Sequence, residues 1–111
     1  IDWQPWSAGR VAELRAAGRP VFVDFTAAWC ISCQVNKQVA LDTDAVARRF
    51  AALRITALEA DWTRYDPAIT QALAGFGRSG VPLYVYYPPA GAPRVLPTVL
   101  TPAVVRDALA D

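Results

Sequence analysis

At 111 residues and 12.0 kDa the chain has room for one hydrophobic core, and 54% hydrophobic against 19% charged residues excludes a disordered or low-complexity segment. Eleven Lys and Arg against ten Asp and Glu give a net charge of +1 without a strong basic cluster, so the electrostatic footprint of a nucleic-acid binder is missing. There is no histidine, which rules out a Ser-His-Asp triad, a Cys-His nucleophile pair, an imidazole metal site or a histidine pH switch made from this chain alone.

No apolar run approaches the ~18 residues that span a bilayer. The chain opens at Ile1 with neither methionine nor a signal-type leader, so the expectation is one domain over residues 1–111, excised from a longer protein.

In chain order, Ser7 is placed to cap a helix running to about Ala17, with Val11 and Leu14 inward and Gly18 ending it. Trp3 and Trp6 are expected to pack on that helix. Val21-Phe22-Val23-Asp24-Phe25-Thr26 is too apolar for a strand with one wet face and reads as central, covered on both sides. After Trp29-Cys30, Ile31, Val35 and Val39 at i, i+4, i+8 predict a helix with the apolar stripe that ordinarily faces a core. Asp42-Thr43-Asp44 recaps a second helical stretch through Val46, Phe50 and Leu53.

Arg54 to Asp61 reads as the next strand, and Asp66-Pro67 as the cap and first residue of a helix closed by Gly75 and Gly77. Leu83 to Tyr87 is a strand, Pro88 to Gly91 a turn, and Arg94-Val95-Leu96 a short returning strand. Thr101-Pro102 opens a last helix that buries Val104, Val105 and Leu109. The order α-β-α-β-α-β-β-α predicts two parallel crossovers, an antiparallel hairpin and a closing helix: an α/β sheet flanked by helices.

The chemistry concentrates at Trp29-Cys30-Ile31-Ser32-Cys33, where a buried strand gives way to a helix. Unpaired N–H groups and the positive end of the helix dipole favour a thiolate at Cys30. Cys33 lies within one turn, so it can attack a mixed disulfide formed by Cys30 and release a reduced partner. Other readings are weaker. A purely structural disulfide closing so short a loop contributes only about 2 kcal/mol in the chain-entropy model. A zinc site lacks ligands beyond the two thiolates. Two cysteines acting as small buried hydrophobes are the third alternative.

The run from Val23 to Cys33, with its buried Asp and the Trp before the first Cys, resembles the active-site strand and turn of the thioredoxin superfamily, and Gly80-Val81-Pro82-Leu83 resembles its cis-proline loop. Cys33-Gln34-Val35-Asn36-Lys37, Ala60-Asp61-Trp62-Thr63 and the tail from Tyr87-Pro88-Pro89 to Leu100-Thr101-Pro102 are similar to the C-terminal periplasmic domain of DsbD-type transmembrane thiol:disulfide interchange proteins, the ScsB-like branch linked to copper tolerance being nearest.

The resemblance implies a thioredoxin-like fold with a central mixed sheet, and a protein-disulfide reductase whose working group is the Cys30–Cys33 disulfide with no other cofactor. Cys30 would attack and be the exposed thiol, and Cys33 would resolve. Electrons would come from a membrane-embedded domain of the same protein and pass to a periplasmic disulfide-bearing partner, in a monomeric periplasmic domain of an inner-membrane protein. A free-standing thioredoxin-like reductase, a cytochrome-maturation thiol donor, and a copper or zinc module using both thiolates are the alternatives.

Asp24, expensive in so apolar a strand, would exchange a proton with Cys33, against the plainer reading of a hydrogen-bonded structural acid. Val81-Pro82 would be cis and would present the Val81 backbone to substrate. Trp29, Val81, Pro82 and Trp62, with Tyr65 beside them, are the expected substrate contacts, although Trp62 and Tyr65 could equally just cover the core edge. Such domains carry a glutamate four residues after the second cysteine, where this chain has Lys37. Its ammonium is expected to approach the thiol pair and favour the thiolate, unless it extends into solvent.

Overall fold

The computed structural model describes residues 1–110. Its elements are β1 (Gln4–Pro5), α1 (Ala8–Ala16), β2 (Val21–Thr26), α2 (Ile31–Asn36) running into a π-helical turn (Lys37–Leu41), α3 (Asp44–Leu53), β3 (Thr56–Asp61), α4 (Pro67–Gly75), β4 (Leu83–Tyr87), β5 (Arg94–Val95) and α5 (Pro102–Leu109). The strands form one mixed sheet in the order β1-β3-β2-β4-β5.

Local chemistry explains most of the boundaries. Ser7, Thr43, Asp66 and Thr101 each accept a backbone N–H in the first turn of the helix they precede, and Pro67 and Pro102 sit where a missing N–H costs nothing. Gly18 takes a positive φ of 71° after α1, which an L side chain resists. Strand β2 is buried at all six residues, as a central strand covered on both faces must be.

The two faces of the sheet carry separate cores. One packs Val21, Val23, Phe25, Leu58, Leu83 and Val85 against Leu14 of α1 and Ile69 and Leu73 of α4. The other packs Phe22, Tyr84 and Tyr86 under the π turn, α3 and α5 through Leu41, Val46, Phe50, Val105 and Leu109. Val104 and Val11 are only half-buried. Among the described residues, no helix is long and apolar enough to cross a membrane.

Three expectations need correction. The segment before α1 is not a simple lead-in to a helix. Gln4 and Pro5 pair in parallel with Leu58 and Glu59 as an edge strand. Trp6 then falls on the α1 side against Phe25, while Trp3 crosses to the other face against Phe22 and Phe50. Secondly, β3 to β4 is not a parallel crossover. Thr26 registers with Asp61 and Phe25 with Leu83, so the chain leaves β3 and enters β4 at the same end of the sheet, and β4 must run antiparallel to β2.

The third correction concerns the stripe Ile31, Val35 and Val39. All three are exposed, Ile31 at 82%, and the inward residues of this helix are Cys33, Asn36, Ala40 and Leu41.

Candidate active site

Strand β2 ends at Thr26, and its continuation turns through Ala27 and Ala28 to place Cys30 as the N-cap of α2. Thr63 fixes this turn from the end of β3: its Oγ1 accepts from Ala28 N at 2.8 Å and its carbonyl accepts from Trp29 Nε1 at 3.1 Å. Gln34 Nε2 donates to the Ala27 carbonyl at 3.0 Å. The cysteine loop is thereby held by a strand end and by its own helix.

Cys30 and Cys33 form a disulfide. Cys33 N donates to Cys30 Sγ at 3.2 Å and Ser32 Oγ lies 3.5 Å from the same sulfur. These contacts favour negative charge on Cys30 once the bond is reduced. Both residues are buried, Cys30 at 6% exposure and Cys33 at 2%, so Cys30, expected to be exposed, is covered in the disulfide form. Val81 packs on the pair, and the Val81–Pro82 peptide is cis.

Around the pair lies an apolar rim. Trp29 stacks on Tyr65 with ring centroids 5.7 Å apart, and both are exposed. Trp62, expected in the same rim, lies beneath it: it is 8% exposed, contacts both rings, and donates Nε1 to Thr70 Oγ1 at 2.8 Å. It therefore supports the rim from below.

Asp24 is 2% exposed and sits on the sheet face that carries Phe22 and Tyr84. Its Oδ1 has no hydrogen-bond partner and its Oδ2 is 3.4 Å from Lys37 Nζ. Burial raises its pKa to about 6, the Lys37 ammonium opposes that rise, and the Glu59 carboxylate adds to it.

Lys37 is neither free in solvent nor free beside the sulfurs. Its ammonium pairs with Glu59 as well as Asp24 and lies 4.6 Å from the Trp3 ring centre. Burial works against its charge, yet the two carboxylates raise its pKa above the ordinary lysine value.

Two residues central to this arrangement were not singled out from the sequence. Glu59 becomes a neighbour of Asp24 only through the β2–β3 register. Asn36 donates Nδ2 to Tyr84 Oη at 2.9 Å and to the Thr98 carbonyl at 2.8 Å, while its Oδ1 accepts from Leu100 N at 3.0 Å. The signal for Asn36 was present, since an asparagine inside a helix competes for backbone bonds and needs a reason to be there. Among the described residues, no group of three or more Cys, Asp or Glu is arranged to hold a metal ion.

This fold, with a two-residue-spaced disulfide at a strand-to-helix junction and a proline loop against it, can be compared with known proteins. A thioredoxin-like family description matches residues 2–89. The chain belongs to the thioredoxin-like family. Over 81 residues, 73% of the chain, it is 37% identical to the thiol:disulfide interchange protein DsbD 1 of Pseudomonas aeruginosa, of which it spans only 13%.

Among solved structures, the C-terminal domain of DsbD from Neisseria meningitidis in the reduced form superposes with a TM-score of 0.72 at 22% identity, covering 96% of each chain. A thioredoxin from Thermus thermophilus gives 0.73 at 23% identity over 98% of this chain and 84% of its own. These structural likenesses establish the shared fold. Membership in the family, with the Cys30–Cys33 disulfide, makes the chain a thioredoxin-like disulfide oxidoreductase related in sequence to DsbD.

Proposed function

We propose that this domain is a protein-disulfide reductase that relays electrons from a membrane-embedded dithiol of a longer, DsbD-like protein to a disulfide-bearing partner in the periplasm. The observation that supports it most is the 37% identity to DsbD 1 over 73% of the chain. Cys30 and Cys33 need no cofactor beyond each other for this exchange.

The reduced domain would act in two steps. The Cys30 thiolate attacks one sulfur of the partner disulfide, forming a mixed disulfide and expelling the partner's other sulfur as a thiolate. Cys33 then gives its proton to the Asp24 carboxylate, its sulfur attacks Cys30, and the bond to the partner breaks. The partner leaves with two electrons and takes its protons from solvent, and the domain is left with the Cys30–Cys33 bond. An incoming dithiol restores it by the same exchange in reverse. Trp29 and Tyr65 offer an apolar landing for the partner, and Val81 offers it backbone beside the sulfurs.

The test is a trap. Mixed with an oxidised periplasmic thioredoxin-like domain, reduced Cys33→Ser should accumulate a mixed disulfide on Cys30, while Cys30→Ser should accumulate none. Equal trapping on Cys33 in the Cys30→Ser protein reverses the roles, and no exchange by the wild-type domain removes the proposal. Membrane-spanning segments encoded in the same reading frame would support the relay; their absence would favour a free-standing reductase.

A further inference from the structure

On the thiol-exchange reading proposed above, Asp24 is the group that receives the Cys33 proton, and its neighbours decide how readily it does so. Lys37 offers one ammonium to two carboxylates, and they hold it unequally: it is in close contact with Glu59 but 3.4 Å from Asp24 Oδ2. With all three groups ionised, the cluster carries one excess negative charge. Asp24 is 2% exposed, whereas Glu59 has a third of its side chain exposed, so the cost of burying a charge falls on Asp24 and favours a proton there.

The other groups facing Asp24 do not offset this. Tyr84, in register on β4, keeps its proton because burial pushes its hydroxyl far up. Asp42, beyond the π turn, adds a further like charge. Cys33, on α2, is uncharged while disulfide-bonded.

A cleft of about 200 Å³ reaches the Lys37 and Glu59 side of the cluster, with Thr26, Gln34, Asp61 and Thr63 among its other walls. Its polar walls suit water, which would connect the cluster to solvent.

We propose that Glu59 is a positioning residue for proton transfer: by sharing the Lys37 ammonium and drawing it toward the cleft, it weakens the buried ion pair at Asp24, so that Asp24 can take up and return a proton. In the resolving step the Cys33 proton passes to Asp24 and from there to the cleft. Without Glu59, Lys37 would serve Asp24 alone. The carboxylate would then be a weaker base, and resolution would slow by about threefold for each unit lost in its pKa.

Carbon-13 NMR of aspartate-labelled oxidised protein reads Asp24 directly, because no thiol titrates there; the Asp24→Asn variant identifies the signal. The wild-type midpoint is expected near 6. Glu59→Gln should lower it by about one pH unit. In a Lys37→Gln background, whose own midpoint is raised, the same Glu59→Gln change should move it by less than half as much, because only the direct repulsion between the two carboxylates remains once the lysine is gone. A Glu59→Gln midpoint equal to wild type, or equal shifts in the two backgrounds, would overturn the proposal. The pH profile of resolution in reduced protein, measured with a peptide disulfide, should follow the NMR midpoint. If wild type fails to exchange disulfides while these titrations behave as stated, the reductase reading fails and the electrostatic role of Glu59 stands.

Discussion

Helices α2 and α3 follow one another and cover the same face of the sheet, yet they are built in opposite senses. In α3, Val46 and Phe50 point into the core and Arg48 and Arg49 point to water. In α2 the apolar residues Ile31 and Val35 point to water, and the polar Cys33 and Asn36 point in, followed by the largely covered Lys37. The inversion is stable because each inward polar group has an assigned partner: sulfur for sulfur, three hydrogen bonds for Asn36, two carboxylates for Lys37. Helix α3 is a structural cover. Helix α2 holds the reactive groups, and its outward apolar stripe is surface left over after the chemistry has taken the inside.

The contrast can be broken most severely at Asn36. Asn36→Ala removes three hydrogen bonds, two of them buried, and leaves the Leu100 N–H unpaired, so it should cost about 4 kcal/mol in urea unfolding of the oxidised protein. A loss under about 1 kcal/mol would mean that α2 is held by its disulfide and sheet contacts alone.

Next in size is Asp24, the acid this polar face serves. Its pKa is about 6 in the fold against 3.8 for the ordinary side chain, so the folded form binds its proton more tightly than the unfolded one. The stability associated with that proton is complete below pH 4 and disappears as pH rises through 6. Asp24→Asn should therefore exceed wild type in stability by about 3 kcal/mol at pH 8, with the difference closing at pH 3. A gap that does not vary with pH would show that Asp24 titrates as an exposed acid does.

A matched pair of smaller changes sharpens the comparison directly. Val46→Ala on α3 should cost about 2 kcal/mol, and Val35→Ala on α2 no more than about 0.5, both read from urea midpoints. Equal costs would contradict the outward stripe.

The same contrast shows what the amino-acid order made legible. Helix boundaries could be read because Ser7, Thr43, Asp66-Pro67 and Thr101-Pro102 act locally, through hydrogen bonds inside one turn. The redox pair and its place after β2 could be read for the same reason. Which way α2 faces could not, because the periodicity of Ile31, Val35 and Val39 locates a helix and says nothing of what its other side must hold. Glu59 and the antiparallel course of β4 depend on register between segments far apart in sequence. Strand β1 was missed because two residues, one of them proline, give no periodic signal.

The π turn at Lys37–Leu41, closed by Asp42 N donating to the Lys37 carbonyl at 2.7 Å, has a consequence for alignment. Such a turn accommodates one residue more than the α-helical span it replaces. Set beside a relative whose helix is straight, this chain requires a single-residue gap after Lys37. The correspondence of Cys33 and Lys37 with a relative's helix is unaffected by it, but every position assigned from Gln38 to Leu41 by counting onward from the cysteines would be out of phase by one.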